Sequence, residues 1–165
     1  DYSPVARVKD QATGLLVRRK GATIETAALT EKESWLDVMG RYTIKRNNAG
    51  TPKILNFKTQ EDVSIALERN YAQAGSLRSK AANALLEKGD FEVWYALPNT
   101  PDFTLLASNR LTAAEQDKLG VAAVELRQEA VKSLQKTIHS TVTGFVIDKE
   151  ADYKTIKTAI KEAGY

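Results

Sequence analysis

The stretch from Lys53 to Leu97 constrains the fold of this chain more than any other part of the sequence. Short β-prone runs, which begin with KILNF and end with FEVWYAL, alternate there with segments whose apolar residues recur at helical spacing. Strands separated by helices of about ten to fifteen residues indicate βαβ units on a parallel sheet. The sequence therefore predicts an α/β fold with a largely parallel or mixed sheet flanked by helices.

Two helices are predicted within this stretch. Thr59 and Asp62 form a capping box at the start of the first helix, which buries Val63, Ala66 and Leu67. A brief strand over Tyr71–Gly75 follows, and Ser76 is predicted to cap a second helix that Gly89 ends.

The segments before this stretch are predicted as follows. Residues 1–10 are predicted to begin irregularly, since Pro4 discourages helix, and a strand covers residues 14–18. A helix over residues 26–39, capped by Thr30, ends at Gly40. A strand over residues 41–45 and a turn over residues 47–52 complete this part.

The segments after Leu97 continue the interleaving of strands and helices, so we expect one α/β domain over residues 1–165. A β run covers residues 103–107, and Thr112 with Glu115 starts a long helix that reaches about Ile138, with a possible break at Gly120. A short apolar run over residues 144–147 precedes a final helix. The inner face of that helix is predicted to contain Tyr153, Ile156, Ile160 and Ala163.

Composition excludes several kinds of function. The chain has no cysteine, which removes disulfides, zinc–thiolate sites and cysteine nucleophiles. No run of about 18 apolar residues is present, so we expect no membrane span. The net charge is +3 and the basic excess lies in residues 1–58, where eleven Lys and Arg stand against six Asp and Glu. Such asymmetry suits an anionic ligand or an acidic surface, although a basic solvated edge is the commoner explanation.

The residues also predict no catalytic site, no metal and no cofactor. The only histidine, His139, lies near the end of a predicted helix, where it favours the negative helix terminus. Asp148, Glu150 and Asp152 are typical first-turn acidic residues rather than metal ligands. The clusters at residues 18–20 and 45–46 lack interleaved aromatic residues, so we expect no specific nucleic-acid partner.

An anion site is the best chemical candidate. Ligands of open α/β sheets bind beyond the carboxyl ends of the strands, where helices begin. Those ends read Lys58–Gln60 and Gly75–Ser79, which place hydroxyls and backbone N–H groups at helix starts. Ser76, Arg78 and Ser79 suit a phosphate-like oxyanion, and a serine cap followed by a solvent-facing arginine is the simpler alternative. Thr51, in the preceding turn, belongs either to an anion-binding nest or to a plain hairpin loop.

The run FKTQEDVSIALERNYAQAGSLRSKAANALL, followed by FEVWYALPNTPDFTLLAS, resembles the phosphate/phosphonate-type substrate-binding proteins of ABC transporters. Residues 2–8, GLLVRRKG, residues 144–146 and residues 151–153 extend the resemblance over most of the chain. It implies a lobe of a type II periplasmic binding protein, located in the periplasm or otherwise outside the cytoplasm. The implied partners are a small anionic ligand and either a membrane permease or a second lobe or subunit. The implied ligand-binding residues are Thr51, Thr59, Gln73, Ser76, Arg78 and Ser79.

The chain also departs from that family pattern. The segment that would build most of the first lobe, before Tyr2, is absent from this sequence, which is expected to be a fragment, a shortened relative or a lobe with a separate partner. A Ser/Thr-rich loop that enters the phosphoryl-binding helix is expected to be missing, and Gln73 stands where an aspartate is common. The departures favour an alternative function, namely a non-catalytic interaction module or accessory subunit that keeps the fold without a working pocket.

Overall fold

The computed structural model describes residues 1–137, 142–148 and 153–165. The chain divides into two compact units. Unit 1 comprises Asp1–Ala12 and Thr100–Lys154, and unit 2 comprises Thr13–Asn99 and Thr155–Tyr165. The division does not test whether the chain is one domain, so the single α/β domain stays a prediction.

Strands and helices interleave along both units. The strands are β1 (Tyr2–Val8), β2 (Gln11–Ala12), β3 (Gly14–Arg19), β4 (Thr26–Leu29), β5 (Lys53–Asn56), β6 (Ala74–Arg78), β7 (Phe91–Ala96), β8 (Thr100–Pro101), β9 (Thr104–Ser108) and β10 (Phe145–Ile147). The helices are α1 (Trp35–Arg46), α2 (Gln60–Glu68), α3 (Ser79–Leu86), α4 (Ala113–Val124), α5 (Gln128–Thr137) and α6 (Lys154–Ala163).

Unit 2 contains a five-stranded mixed sheet in the order β5-β4-β6-β3-β7. Strand β4 pairs in parallel with β5 and β6, whereas β3 is antiparallel to both β6 and β7. The predicted α/β fold with a mixed sheet flanked by helices is thus confirmed. Because β4, β5 and β6 run in one direction, their carboxyl ends share one edge of the sheet, here called the carboxyl edge.

Helices cover both faces of this sheet. Successive residues of β3 point to opposite faces, so Leu16 joins a cluster with Met39 of α1 and Ala159 of α6. Val17 joins a second cluster with Val63 of α2 and Leu85 of α3. Burial on both faces explains why these strands read as nearly continuous apolar runs.

The predicted helix over residues 26–39 is wrong over residues 26–34 and confirmed over residues 35–39, which lie in α1. Residues 26–29 form β4, which is paired on both sides in the sheet, and α1 begins nine residues later than Thr26, after the cap Ser34. The alanines of β4 favour helix, but tertiary pairing overrides that weak preference. The predicted strand over residues 41–45 is also wrong, because these residues lie within α1.

Gly40 does not end a helix but lies inside α1. A Cβ added at Gly40 would lie 2.8 Å from Cδ2 of Leu29 and 3.3 Å from Cβ of Ser76. Glycine therefore lets the helix approach β4 and β6 closely.

The predicted role of Ser76 as a helix cap is also wrong. Ser76 is fully buried within β6, and its hydroxyl has no hydrogen-bond partner among the residues that the structure describes. Pairing of β6 with β3 extends the strand to Arg78, which is the N-cap of α3. The strand predicted over Tyr71–Gly75 is displaced toward the C-terminus by this pairing.

Unit 1 contains the antiparallel sheet β10-β1-β9 and the short pair β2-β8. The irregular structure predicted for residues 1–10 is wrong, because β1 is the central strand of that sheet. Its register on β9 shifts between Pro4 and Ala6, and such a bulge accommodates a proline that has no N–H to donate.

In unit 1 the predicted capping box of Thr112 and Glu115 is confirmed, whereas the helix break predicted at Gly120 lies elsewhere. The Thr112 N–H donates to Oε2 of Glu115 over 2.7 Å. This hydrogen bond lowers the pKa of the Glu115 carboxyl, and the hydrogen bond from the Thr112 hydroxyl lowers it further. The break between α4 and α5 follows Val124 instead of lying at Gly120. Gly120 packs against β1, since an added Cβ would lie 2.7 Å from the Val5 carbonyl oxygen. Ile138 and His139 lie outside the described residues.

Helix α6 matches the predicted final helix in position and differs in its buried face. Ala159 is fully buried, whereas Ile160 is 39% exposed. Within the ranges that the structure describes, no helix combines the length and the apolar character needed to cross a membrane.

Replacing Gly75 with alanine should destabilise the protein by about 1–3 kcal/mol, the typical cost of overpacking a core. The new Cβ would lie 2.9 Å from the Ala28 carbonyl oxygen, which belongs to a paired strand and cannot move aside. Gly40→Ala is the matched control and should cost less, because its nearest contact is the end of a side chain and alanine favours helix. Urea unfolding of both variants measures the difference, and an equal or larger cost for Gly40→Ala would contradict this account.

Candidate functional site

The carboxyl edge of the sheet in unit 2 collects the starts of three helices. Strand β4 leads through residues 30–34 to α1, β5 leads through residues 57–59 to α2, and β6 leads directly to α3. The first backbone N–H groups of a helix have no intrahelical acceptor, and the helix dipole adds a partial positive charge there. Three such starts at one edge form a region suited to negative charge.

Arg78 connects the three helix starts. Its guanidinium carbon lies 4.5 Å from the ring centroid of Trp35, the first residue of α1. Its backbone N–H donates to Oε1 of Gln60, the first residue of α2, over 3.3 Å. Arg78 itself is the N-cap of α3. A single arginine therefore contacts or adjoins the first residue of each helix.

Hydroxyl groups lie beside each helix start. The Ser34 side chain caps α1, and its oxygen lies 2.7 Å from Oγ1 of Thr30. Thr59 caps α2 with the predicted capping box, which confirms that part of the sequence analysis. The Ser79 hydroxyl donates to Oγ1 of Thr13 over 2.9 Å. These side chains are half-buried or exposed, except that of Thr30, which is buried.

The residues predicted to bind a ligand fall into three places. Thr59, Arg78 and Ser79 lie at the carboxyl edge. Ser76 lies in the core, and so does Gly75, so the first half of the predicted strand end at Gly75–Ser79 is not accessible to a ligand.

Thr51 and Gln73 lie at the opposite edge, where the parallel strands begin. Oε1 of Gln73 accepts the N–H of Glu25 over 3.3 Å and that of Thr26 over 3.0 Å. Thr51 is exposed two residues before β5. The ligand roles of all six predicted residues stay predictions. Only Thr59, Arg78 and Ser79 lie at the carboxyl edge.

Sequence reasoning missed Thr30 and Ser34 as site residues. The sequence predicts a helix over residues 26–39 with Thr30 as a cap. It therefore does not predict the loop between β4 and α1. After GRYTIKRN (residues 40–47), where a Ser/Thr-rich loop and its helix are expected to be missing, the chain continues into β5; a loop containing Thr30 and Ser34 enters α1 earlier in the chain. The signal in the sequence was Ser34, a good N-cap directly before the apolar spacing of Leu36, Met39 and Ile44.

Asp37 supports this loop from inside. Its carboxylate is fully buried and accepts from Nε of Arg41 over 2.9 Å and from Nδ2 of Asn56 over 2.7 Å. It also accepts from the hydroxyl of Tyr165. A buried carboxylate is stable only when its oxygens are paired in this way.

Tyr165 and Tyr153 are the tyrosines with shifted acidity. Tyr165 is 41% exposed, but partial desolvation raises its pKa above the ordinary value and the hydrogen bond to Asp37 raises it further. Burial likewise raises the pKa of Tyr153, whose hydroxyl donates to Oδ2 of Asp148 over 2.9 Å in unit 1. These shifts follow from packing and do not indicate a catalytic acid or base.

Metal binding finds no support in the part of the chain that the structure describes, because no cluster of His, Asp or Glu with suitable positions occurs there. Glu150 and Asp152 lie outside those residues, as does His139. The carboxyl edge brings together hydroxyls, backbone N–H groups and the Arg78 guanidinium, and the Asp62 carboxylate accepts the Thr59 hydroxyl there over 2.9 Å.

Comparison with known proteins finds similarity in structure only. No family model and no curated protein sequence matches the chain. An ATP-bound protein of Xanthomonas citri is similar, with a TM-score of 0.77 and 13% identity over 98% of this chain and 70% of that one. The protein PhnD1 of Prochlorococcus marinus, in complex with methylphosphonate, has a TM-score of 0.68 and 15% identity over 98% of this chain and 71% of that one.

A binding-protein component of an ABC phosphonate transporter of Pseudomonas aeruginosa is also similar. Its TM-score is 0.63 at 14% identity, over 94% of this chain and 60% of that one. Such low identities show the fold alone, which is the mixed α/β fold of periplasmic binding protein lobes.

Replacing Asp37 with alanine should lower the free energy of unfolding by about 3–5 kcal/mol, because it leaves the half-buried Arg41 and Asn56 without their shared acceptor. Asp90→Ala, at an exposed position in the same unit, is the control and should change stability by about 0.5 kcal/mol or less. Urea denaturation gives both values. A cost under about 1 kcal/mol for Asp37→Ala would show that the network contributes little.

The raised pKa of Tyr165 predicts a pH effect on stability. A tyrosine whose pKa is higher in the folded state stabilises that state below the unfolded pKa, about 10, and this contribution is lost as pH rises through the folded pKa. The stability advantage of the wild type over Tyr165→Phe should therefore shrink above about pH 10. Urea unfolding of the two proteins at a series of pH values measures it, and a constant difference would contradict the shift.

Proposed function

We propose that this protein is an extracytoplasmic solute-binding protein for ABC-type transport and that it recognises a small oxyanion of the phosphate or phosphonate class. The observation that supports this proposal is the convergence of three helix starts on Arg78. The resemblance of the sequence to phosphate/phosphonate binders and the fold shared with a methylphosphonate-bound protein support the same ligand class.

The chemistry of the carboxyl edge suits a tetrahedral oxyanion. The guanidinium of Arg78 offers planar paired donors, and helix starts offer backbone N–H groups oriented by the helix dipoles. Each charge-assisted hydrogen bond contributes about 1.5–3 kcal/mol when water is excluded. Trp35, packed against Arg78, restricts the guanidinium and limits its contact with water.

The proposed ligand contacts are Ser34, Thr59, Arg78 and Ser79. Three of these come from the sequence analysis, and Ser34 replaces Ser76, which the core buries. Thr51 and Gln73 are not used, because they lie beside the beginnings of the strands and not beside their ends.

The proposed partners follow from the transport role. A solute-binding protein delivers its ligand to a membrane permease, and a second lobe or subunit would complete the ligand shell by closure. We propose no catalytic step, since the described residues at the carboxyl edge include no nucleophile paired with a base.

One observation favours the alternative function, an interaction module without a working pocket. The Thr30 and Ser34 hydroxyls lie within hydrogen-bond distance of each other, and the Ser79 hydroxyl bonds to Thr13. Ligand binding would have to redirect these hydroxyls. Anion titration separates the two functions, because an interaction module gains no stability from any small anion.

Arg78→Ala should weaken binding of methylphosphonate and inorganic phosphate by about tenfold to a hundredfold, the loss expected for one or two charge-assisted bonds. Arg69→Ala, which removes an exposed arginine at the opposite end of α2, is the charge-matched control and should bind like the wild type. Isothermal titration calorimetry gives the affinities.

A thermal melt of the wild type with phosphate, sulfate and phosphonates completes this test. Ligand that binds the folded state raises the melting temperature. No shift with any of these anions at millimolar concentration would reject the proposed ligand class and favour the interaction module.

A further inference from the structure

We propose that Asn56 is a positioning residue for the anion site, which fixes the loop over residues 30–34 so that α1 begins beside Arg78. This inference rests on the proposed function and assigns Asn56 a part in it without direct ligand contact. The loop is called the β4-α1 loop below.

Asn56 is the last residue of β5, and its side-chain amide is fully used. Its Nδ2 donates to the Thr30 carbonyl oxygen over 2.6 Å and to Oδ1 of Asp37 over 2.7 Å. Its Oδ1 accepts from Nη2 of Arg41 over 3.1 Å. Both donor hydrogens and the carbonyl oxygen therefore bond to protein, which leaves little capacity for a ligand.

These bonds connect the two ends of the β4-α1 loop. Thr30 is the first residue of the loop, and Asp37 lies in the first turn of the helix that follows it. One amide on the neighbouring strand thus fixes where the chain leaves β4 and where α1 starts.

The loop has a backbone conformation that needs such support. Glu33 has a φ of 66°, in the left-handed region that residues with side chains rarely adopt. The Glu33 N–H donates to Oδ2 of Asp37 over 3.2 Å, and Tyr165 donates to the same oxygen. Asp37 therefore holds the strained residue directly, and Asn56 holds Asp37.

The consequence for the site concerns Ser34 and Trp35. Ser34 is the next residue after Glu33 and caps α1, and Trp35 packs on the guanidinium of Arg78. If the Asn56 amide is lost, the loop relaxes and the start of α1 moves relative to Arg78. Anion affinity should then fall although every proposed ligand contact is still present.

The test compares Asn56→Ala with Asn47→Ala. Asn47 lies at the other end of α1, where its Nδ2 donates to the Thr43 carbonyl oxygen over 2.8 Å. Both substitutions remove an asparagine that bonds a backbone carbonyl, but only Asn56 touches the β4-α1 loop. Calorimetric titration with methylphosphonate and with inorganic phosphate, well below the unfolding temperature, gives affinities for folded protein only.

We expect Asn56→Ala to weaken both affinities by about tenfold to a hundredfold, the range seen when a group that orients other ligands is removed. Asn47→Ala should keep the wild-type affinities. Amide hydrogen exchange should become faster at residues 31–35 in Asn56→Ala and stay unchanged there in Asn47→Ala. Tyr165→Phe, a milder change to the same network, should give a smaller loss of affinity and covers the case in which Asn56→Ala fails to fold.

The outcomes distinguish this inference from the proposed function. If the wild type binds the anions and Asn56→Ala binds them with the same affinity, only the positioning role is overturned. If only Tyr165→Phe folds, the same affinity in that variant has the same consequence. A wild type that binds no anion overturns the proposed function and the positioning role together. Equal losses in Asn56→Ala and Asn47→Ala also overturn the positioning role, because they would show a general effect of α1 stability.

Discussion

The parallel pairing of β4 with β5 and β6 is the constraint on which the rest of unit 2 depends. Parallel strands end at the same edge, so the three connections that leave them must all begin there. Each connection continues into a helix, and the helix starts meet around Arg78. A sheet with the same strands in antiparallel pairs would distribute these starts over two edges, and no single arginine would adjoin them all.

The buried Asp37 network is the second requirement of the carboxyl edge. It joins α1, β5 and Tyr165, which follows α6, so a chain segment far from the loop in sequence contributes to its conformation. Strain at Glu33 is compatible with stability because several hydrogen bonds converge on one carboxylate. The same network explains why the polar residues Asp37 and Thr30 lie in the interior beside apolar clusters.

Similarity to solved structures supports the fold, whereas the local geometry of the carboxyl edge bears on the function. Identities of 13–15% establish a shared fold, and a fold hosts many functions. Any function at the carboxyl edge therefore depends on Arg78, Trp35 and the helix caps, whose contacts belong to this chain. The two hydroxyl pairs at the edge are the feature that a ligand must rearrange, and they make anion titration the decisive measurement.

The sequence by itself determined the α/β class, the capping boxes at Thr59 and Thr112, the turn after α1 and the strands β3 and β7, because short-range spacing and side-chain caps specify them. It also identified Arg78 and Ser79 as neighbours of a helix start. Only the tertiary structure decided that residues 26–29 form a strand, that Gly40 lies inside a helix and that Ser76 is buried. Those outcomes depend on pairing with β5, β6 and β3, partners distant in sequence, and on a close helix-to-strand approach that local propensity cannot encode.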